Sequence, residues 1–338
     1  MGTRRDHEID RLFEEAERRQ SCLVAGDRNL REALERRVGR GVERVESRLF
    51  ARTNYWNGLS KIDRERHVIR GLAVLHPDWV FCHASAALMH GLPVSLRKLR
   101  QACLMRPGTH SKACAARKRQ SKKPRTIVVI SGVKCTSLED TVVDCLLDFG
   151  FREGLAIADA ALARLDNDGE QLERLLRKRG HHRPGLRRAL ETIRWADARS
   201  ESGGESIARA IMIEHGFVLP ELQVVIGNPT RTGESWRCDY YWLLADGTRV
   251  AGELDGLEKY TNEKMTKGRS ALQVLSDERI RESQLTLAVD RVLRFTWADV
   301  RDEQRLVAKL EQFGIPRVNN ASRAIPHPHL RARNVPST

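Results

Sequence analysis

Two strand-like segments near the C-terminus constrain the fold of this chain more than any other feature. Residues 236–244 (WRCDYYWLL) and 248–256 (TRVAGELDG) flank an Asp-Gly dipeptide, which is typical of hairpin turns. Side chains two apart on a strand point the same way, so Glu253 and Asp255 share one face. An antiparallel hairpin brings Asp239 opposite one of these two acids. The sequence therefore predicts an antiparallel sheet that carries several carboxylates.

These carboxylates favour a metal site. Glu205 adds another acid from the first turn of the preceding helix, GGESIARAIMIEHG. Acids that converge on a sheet repel one another and need a cation such as Mg²⁺ or Mn²⁺, which polarises a phosphate and activates water. Ordinary ion pairing is the alternative that the residues leave open. The pairs would then be Glu205 with Arg209 and Asp239 with Arg237 or Arg249, with Glu253 exposed on an edge strand.

A linked series of motifs between about residues 201 and 300 resembles a bacterial family related to the very-short-patch-repair (Vsr) endonucleases. The motifs are GES, PELQ, CDYYW, GELDGLEKY, DERIRESQL and RVLRFTW. That family in turn resembles the PD-(D/E)xK nuclease superfamily. The resemblance implies a restriction-endonuclease-like mixed sheet flanked by helices, and metal-dependent cleavage of DNA. It implies Asp239 and Glu253 as the central metal ligands and Glu205 as the third acid.

One position departs from the superfamily pattern. Asp255 stands where a nuclease of the superfamily carries its lysine, so the group that orients water is missing there. Lys259, just beyond the strand, could supply it, and Gln223 in PELQVV could line the site. Arg294 in RVLRFTW is a candidate to face the site from a neighbouring strand. The resemblance and the spacing give as catalytic candidates Glu205, Gln223, Asp239, Glu253, Asp255 and Lys259.

The N-terminal segment has the outline of a winged helix-turn-helix. Residues 1–58 predict two helices and then a β hairpin. The second helix begins after Asp27, a good N-cap, and its apolar face extends to Val38. Its other face carries the DNA-binding candidates Arg28, Arg31, Arg36, Arg37 and Arg40. Such a helix enters the major groove of DNA while the wing contacts phosphate. The alternative is a helical cap with a solvated arginine face, which the nearby acids Glu32, Glu35, Glu43 and Glu46 favour.

The charge distribution indicates a polyanionic partner. The formal net charge is +14, and between Asp78 and Glu139 there are twelve Lys and Arg residues and no acid. Attraction of this kind points first to nucleic acid, although charge alone does not distinguish DNA from RNA. Within a basic loop predicted at residues 97–125, the phosphate-contact candidates are Arg117, Lys118, Arg119, Lys122 and Lys123. A loop that only aids solubility is the alternative.

We predict a mixed α/β (α+β) chain with several domains. The predicted parts are a winged helix at 1–58, a mixed α/β middle domain at 59–165, a helical connector at 166–200, the nuclease-like domain at 201–316 and an extended tail at 317–338. In the middle domain, HASAALMHGLPV and GVKCTSLEDTVVDCL resemble the winged-helix AbiEi-type antitoxins. That resemblance implies a cognate toxin as a further partner.

Cysteine and hydropathy patterns favour a cytoplasmic protein. The seven cysteines are widely spread with no CxxC pair, and neither a signal sequence nor a membrane-spanning segment is predicted. His83 and His90 could share a helical face, but packing or capping is the better interpretation because no ligand partner is spaced to join them.

Two hypotheses of different classes follow. The first is a metal-dependent DNA endonuclease in which the N-terminal part holds the duplex. The second is a DNA-binding regulator, possible as a homodimer and antitoxin-like, whose nuclease-like domain lacks catalysis. An enzyme or binding protein directed to RNA ranks third.

Overall fold

The computed structural model describes residues 4–106, 117–120, 126–165, 168–229, 233–255 and 285–318, giving only the backbone for 106 and 117–120. Residue contacts divide the chain into two compact units, Met1–Asp148 and Phe149–Thr338. Each unit combines helices with β-sheet, so the predicted mixed α/β class is confirmed. In the described ranges, no helix is both long enough and apolar enough to cross a membrane.

The described residues of the first unit form three small sheets. They have the strand orders β1-β3-β2 (antiparallel), β4-β5 (parallel) and β6-β7 (antiparallel). The elements in chain order are α1 (Arg4–Arg18), β1 (Leu23–Val24), α2 (Arg28–Glu35), β2 (Val42–Glu46), β3 (Leu49–Arg52), α3 (Thr53–Gly58), α4 (Lys61–Leu75), α5 (His83–Met89), α6 (Leu96–Leu99), β4 (Cys103–Arg106), β5 (Arg117–Gln120), β6 (Ile127–Ile130), β7 (Val133–Thr136) and α7 (Leu138–Asp148).

The predicted order of helix, helix and hairpin is confirmed at the N-terminus. Ile9 and Phe13 of α1 pack in one core with Leu34 of α2 and Phe50 of β3. Asp27 caps α2 by accepting a hydrogen bond from the main-chain N of Leu30 at 2.8 Å. The short strand β1 was not predicted, and it extends the β2–β3 hairpin, hereafter the wing hairpin, to three strands.

Helix α2 ends earlier than its pattern predicts. Its last residue is Glu35, and Val38, expected on the apolar face, is 41% exposed and bridges to Val42. Gly39 and Gly41 take positive φ values of 76° and 90°, so the chain turns at once into β2. The prediction that Arg36, Arg37 and Arg40 lie on the helix was therefore wrong. These residues lie in the segment between the end of α2 and the start of β2.

The basic segment 97–125 is not one loop. Helix α6 covers its first residues, and β4 and β5 pair within it in parallel. Arg117, Lys118 and Arg119 lie on β5, where only the backbone is described. Lys122 and Lys123 lie outside the described residues.

The second unit is built on a four-stranded mixed sheet of order β11-β10-β9-β8, in which only the β10–β11 pair is parallel. Its elements are α8 (Phe151–Leu162), α9 (Gly169–Gly180), α10 (Leu186–Ile193), α11 (Gly203–Glu214), β8 (Glu221–Gly227), β9 (Ser235–Leu243), β10 (Arg249–Asp255), β11 (Arg291–Thr296), α12 (Trp297–Arg301) and α13 (Glu303–Gln312). The predicted connector helices are α9 and α10, which pack with α8.

The sheet of the second unit is covered on both faces. On one face, Val250 of β10 packs in one core with Ile211 of α11, and on the other Ala251 packs with Leu285. Trp297 is 42% exposed because it begins α12 at the end of β11. Strand β10 is interior, so its acids lie within the sheet and not at its edge.

Candidate functional site

Strands β9 and β10 bring two of the predicted acids together. Gly252 pairs with Tyr240, so Asp239 and Glu253 are the next residues along their two strands. The Asp239 carboxylate accepts a hydrogen bond through Oδ2 from the main-chain N of Leu254 at 3.0 Å. The predicted antiparallel hairpin is therefore confirmed. The hydrogen bond to the Asp239 carboxylate joins the two strands at the point where their regular main-chain pairing ends.

Glu205 reaches the same end of the sheet from the start of α11. The hydroxyl of Ser202 caps this helix by accepting from the Glu205 N at 3.1 Å. Oε2 of Glu205 accepts from the main-chain N of Glu201 at 2.9 Å and from Nε2 of Gln223 at 3.2 Å. Burial raises the pKa of Glu205, and the nearby charge of Asp239 raises it further. The two acids are thus electrostatically coupled.

Gln223 is the most unusual residue of this cluster. It lies within β8, yet its φ is +55°, and regular pairing with β9 is interrupted between Leu222 and Val224. Its amide oxygen, Oε1, is buried and has no hydrogen-bond partner among the described residues. Strained backbone and unsatisfied buried polar atoms each cost free energy, and they concentrate at functional sites. We name Glu205, Gln223, Asp239 and Glu253 the acid end of the sheet.

Glu253 is neutralised by an arginine. It is 6% exposed, and its Oε2 lies 3.1 Å from Nη2 of Arg294, which stands beside it in the parallel β10–β11 register. The sequence named Arg294 only as a candidate, and the structure places it directly in the acid end. Asp255, two residues further on, is half-buried beside Thr296, and Lys259 lies outside the described residues.

The ordinary ion pairs that formed the alternative prediction are wrong. Arg209 instead binds the buried Asp159 with two contacts of 2.8 Å. The other two arginines also have different partners, and Glu253 is not exposed. The observed pairs are Arg237 with Glu201 at 2.7 Å and Arg249 with Asp290 at 3.1 Å. Sequence spacing missed them because each partner lies at least 36 residues away along the chain.

The acid end fits a divalent cation in part. Carboxylate and amide oxygens are the ligands that Mg²⁺ and Mn²⁺ prefer, and Glu205, Asp239 and the unsatisfied oxygen of Gln223 supply them. In the part of the chain that the structure describes, however, no three His, Cys, Asp or Glu side chains form a group that could hold a metal ion. The fit therefore rests on two acids and one amide, with Glu253 engaged by Arg294.

The N-terminal arginines have different environments. Arg28 is paired with Glu32 at 2.7 Å, and Arg37 is bound to Asp6 and to the carbonyl of Ala33. Among the five candidates, Arg31, Arg36 and Arg40 are exposed, and their side chains make no hydrogen bond or ion pair with the described residues.

An open groove lies between α2 and the wing hairpin. Its lining alternates in charge, because Arg31 and Arg36 stand beside Glu32 and Glu35. Two arginines of the wing hairpin already have partners within the protein. Arg44 lies 3.3 Å from Glu35, and Arg48 donates to the carbonyls of Ala25 and Gly26. The free cations of this surface are therefore concentrated at the C-terminal end of α2.

His83 is buried and His90 is half-buried, and each has its own partners. Nδ1 of His83 is 3.1 Å from Sγ of Cys82 and 3.8 Å from Asp144, and Nε2 of His90 lies 2.8 Å from the carbonyl of Thr136. The cysteines that the structure describes are buried and are not joined in disulfides.

Comparison with known proteins gives two partial relatives in Mycobacterium tuberculosis. They are the uncharacterized protein Rv2248 of strain H37Rv and the uncharacterized protein MT2308 of strain CDC 1551, and this chain is 35% identical to each over 129 residues. The match covers 38% of this chain and 45% of each relative, so it spans less than half the length of the curated proteins. No model of a protein family matches the chain, and no solved structure matches it either.

Proposed function

We propose that this protein binds DNA and that its second unit is a divalent-cation-dependent phosphodiesterase of the PD-(D/E)xK type. One observation carries the proposal: Glu205 and Asp239 are electrostatically coupled beside Gln223, whose strained backbone holds an unsatisfied buried oxygen. Carboxylates that repel one another are costly when one of them is buried, as Glu205 is, unless a cation joins them.

Each residue of the acid end has a role in this proposal. Glu205 and Asp239 would hold Mg²⁺ or Mn²⁺ with the oxygen of Gln223, and such an ion would supply polarisation of the phosphate and activation of water there. The main-chain N–H groups of Glu201 and Leu254 fix the orientation of the two carboxylates. Arg294 places a positive charge beside Glu253, where it suits the charge that develops on a phosphodiester.

The first unit supplies the positive surface for DNA in this proposal. Arg31, Arg36 and Arg40 are exposed, and the chain as a whole carries a formal charge of +14. Contacts from such residues to phosphates give affinity without sequence preference.

A DNA-binding regulator without catalysis is the second candidate. The Glu253–Arg294 pair favours it, because the arginine already neutralises a carboxylate that the resemblance assigns to the metal. Asp255 in place of the superfamily's lysine favours it too. A homodimer and a cognate toxin as partner belong to this candidate.

Cleavage of supercoiled plasmid, single-stranded DNA and RNA with Mg²⁺ or Mn²⁺ tests the two candidates. We expect cation-dependent cutting of DNA that is lost in Glu205→Gln and Asp239→Asn. Asp290→Asn is the matched control, since Asp290 is an exposed acid of the same unit paired with Arg249. DNA binding without cutting under either cation would support the regulator. Cutting of RNA alone would indicate that RNA, and not DNA, is the substrate.

A further inference from the structure

A cavity of about 690 Å³ lies in the first unit beside the wing hairpin. Strand β2 and helices α3, α4 and α6 contribute to its wall. The buried side chains of Trp56, Ile69 and Leu99 form an apolar part of the lining, and Trp79 adds a second indole ring. A volume of this size lies in the range of small-molecule sites, and charged side chains share the lining with the apolar ones.

Positive charge exceeds negative charge on the cavity wall. The charged lining residues are Lys61, Arg64, Arg97, Arg100, Glu46 and Glu65. Four cations against two acids favour an anionic ligand. Burial raises the pKa of Glu65, and the neighbouring charge of Glu46 raises it further.

Arg64 is the residue that points most directly to a ligand. Its guanidinium lies 5.4 Å from the centre of the Trp56 ring, and its Nη2 donates to the carbonyl of Asn57 at 3.3 Å. Its Nε is buried and has no hydrogen-bond partner among the described residues. A buried donor on a charged group is costly when it has no acceptor. Arg64 also lines the cavity, where the charge of its guanidinium would be stabilised by an anion.

We propose that this cavity binds a small organic anion that carries an aromatic ring, of the nucleoside monophosphate class. The phosphate binds Arg64 with the cations at the rim, and the base packs against the indole and aliphatic wall. Glu46 and Glu65 disfavour ligands of higher negative charge, so a monophosphate binds better than a triphosphate. This site is independent of the acid end of the second unit.

Calorimetric titration of the full chain with the monophosphates of adenosine, guanosine, cytidine and uridine tests the proposal. Chelator in the buffer keeps divalent cations, and with them the acid end, out of the measurement. We expect Arg64→Gln to weaken binding about tenfold and Glu65→Gln to strengthen it about threefold. Arg66→Gln is the matched control, because Arg66 belongs to the same helix but pairs with Asp63 outside the cavity lining.

Arg64→Gln and Glu65→Gln test the proposal independently, so the result can be interpreted even if one of these variants does not fold. Failure of all four nucleotides to bind at millimolar concentration would overturn the proposal. So would binding that Arg64→Gln leaves unchanged in a folded variant, or binding that Glu65→Gln weakens, since the latter would indicate a cationic ligand.

Discussion

The acid end of the second unit and the arginines near α2 of the first unit look alike in the sequence but differ in the structure. Both are groups of like charge that the sequence assigned to DNA. Glu205 and Glu253 are only 9% and 6% exposed, whereas the Arg28 side chain is 84% exposed and already paired with Glu32. A buried charge must have a compensating partner, but an exposed one is compensated by water. Burial is therefore the more informative property.

The comparison extends to how each charge is satisfied. In the second unit, the arginines near the acids have fixed partners, such as Arg209 with Asp159 and Arg294 with Glu253. In the first unit, Arg31 and Arg36 line an open groove, and their side chains make no hydrogen bond or ion pair with the described residues. The ion pairs of the second unit fix the positions of the side chains that form them. The first unit instead leaves cations available to a partner such as DNA.

Loss of the buried Asp159–Arg209 pair gives the largest expected effect. Arg209→Met leaves the Asp159 carboxylate, which is 1% exposed, without its bidentate partner, and we expect a loss of about 3–5 kcal/mol in the free energy of unfolding. Chemical denaturation measures this. Arg237→Met removes an exposed pair with Glu201 and should cost about 1 kcal/mol or less. Equal losses in the two variants would remove the distinction between buried and exposed charges.

The exposed arginines should affect DNA affinity through salt dependence. Replacement of Arg31 and Arg36 together by Ala removes two phosphate contacts, so we expect the slope of log K against log salt to become shallower by about 1.8. Fluorescence anisotropy with a labelled duplex measures the slope. Arg28→Ala is the control, and its effect should be smaller because Glu32 already binds that guanidinium. If the double variant has the same slope as the wild type, the DNA-binding surface of the protein lies elsewhere.

The pH dependence of stability tests the environment of Glu205. Its pKa in the folded protein is raised above 4.5 by burial, so the folded state binds this proton more tightly than the unfolded chain does. This contribution to stability is fully present below pH 4.5 and is lost as the pH rises through the raised pKa. We expect the wild type to gain stability relative to Glu205→Gln as the pH falls from 7 towards 4.5, without added cation. Parallel pH profiles would show that Glu205 is solvated.

Much of the second unit could be predicted because its signals are local. The Asp-Gly turn and the alternation of apolar residues gave the β9–β10 hairpin, and the helix preceding the sheet was recognisable from its own pattern. The Glu253–Arg294 neighbourhood could only be suggested. It depends on a parallel pairing of residues that are 41 positions apart in the sequence, which no local pattern specifies.

The first unit shows where local reasoning fails. The apolar spacing of Leu34 and Val38 favoured a longer α2, but Gly39 and Gly41 with positive φ direct the chain into the wing hairpin. The strained backbone of Gln223 also had no signal in the sequence, because a glutamine in a strand-like segment gives no indication of φ. Both features follow from tertiary packing, which overrides the propensity of the segment.

Titration with Mn²⁺, followed by electron paramagnetic resonance, tests most directly whether the acid end holds a divalent cation. We predict one bound ion in the wild type, its loss in Glu205→Gln and in Asp239→Asn, and its retention in Asp290→Asn. A wild-type protein that binds no Mn²⁺ at millimolar concentration, or that binds it equally in all three variants, would contradict the account.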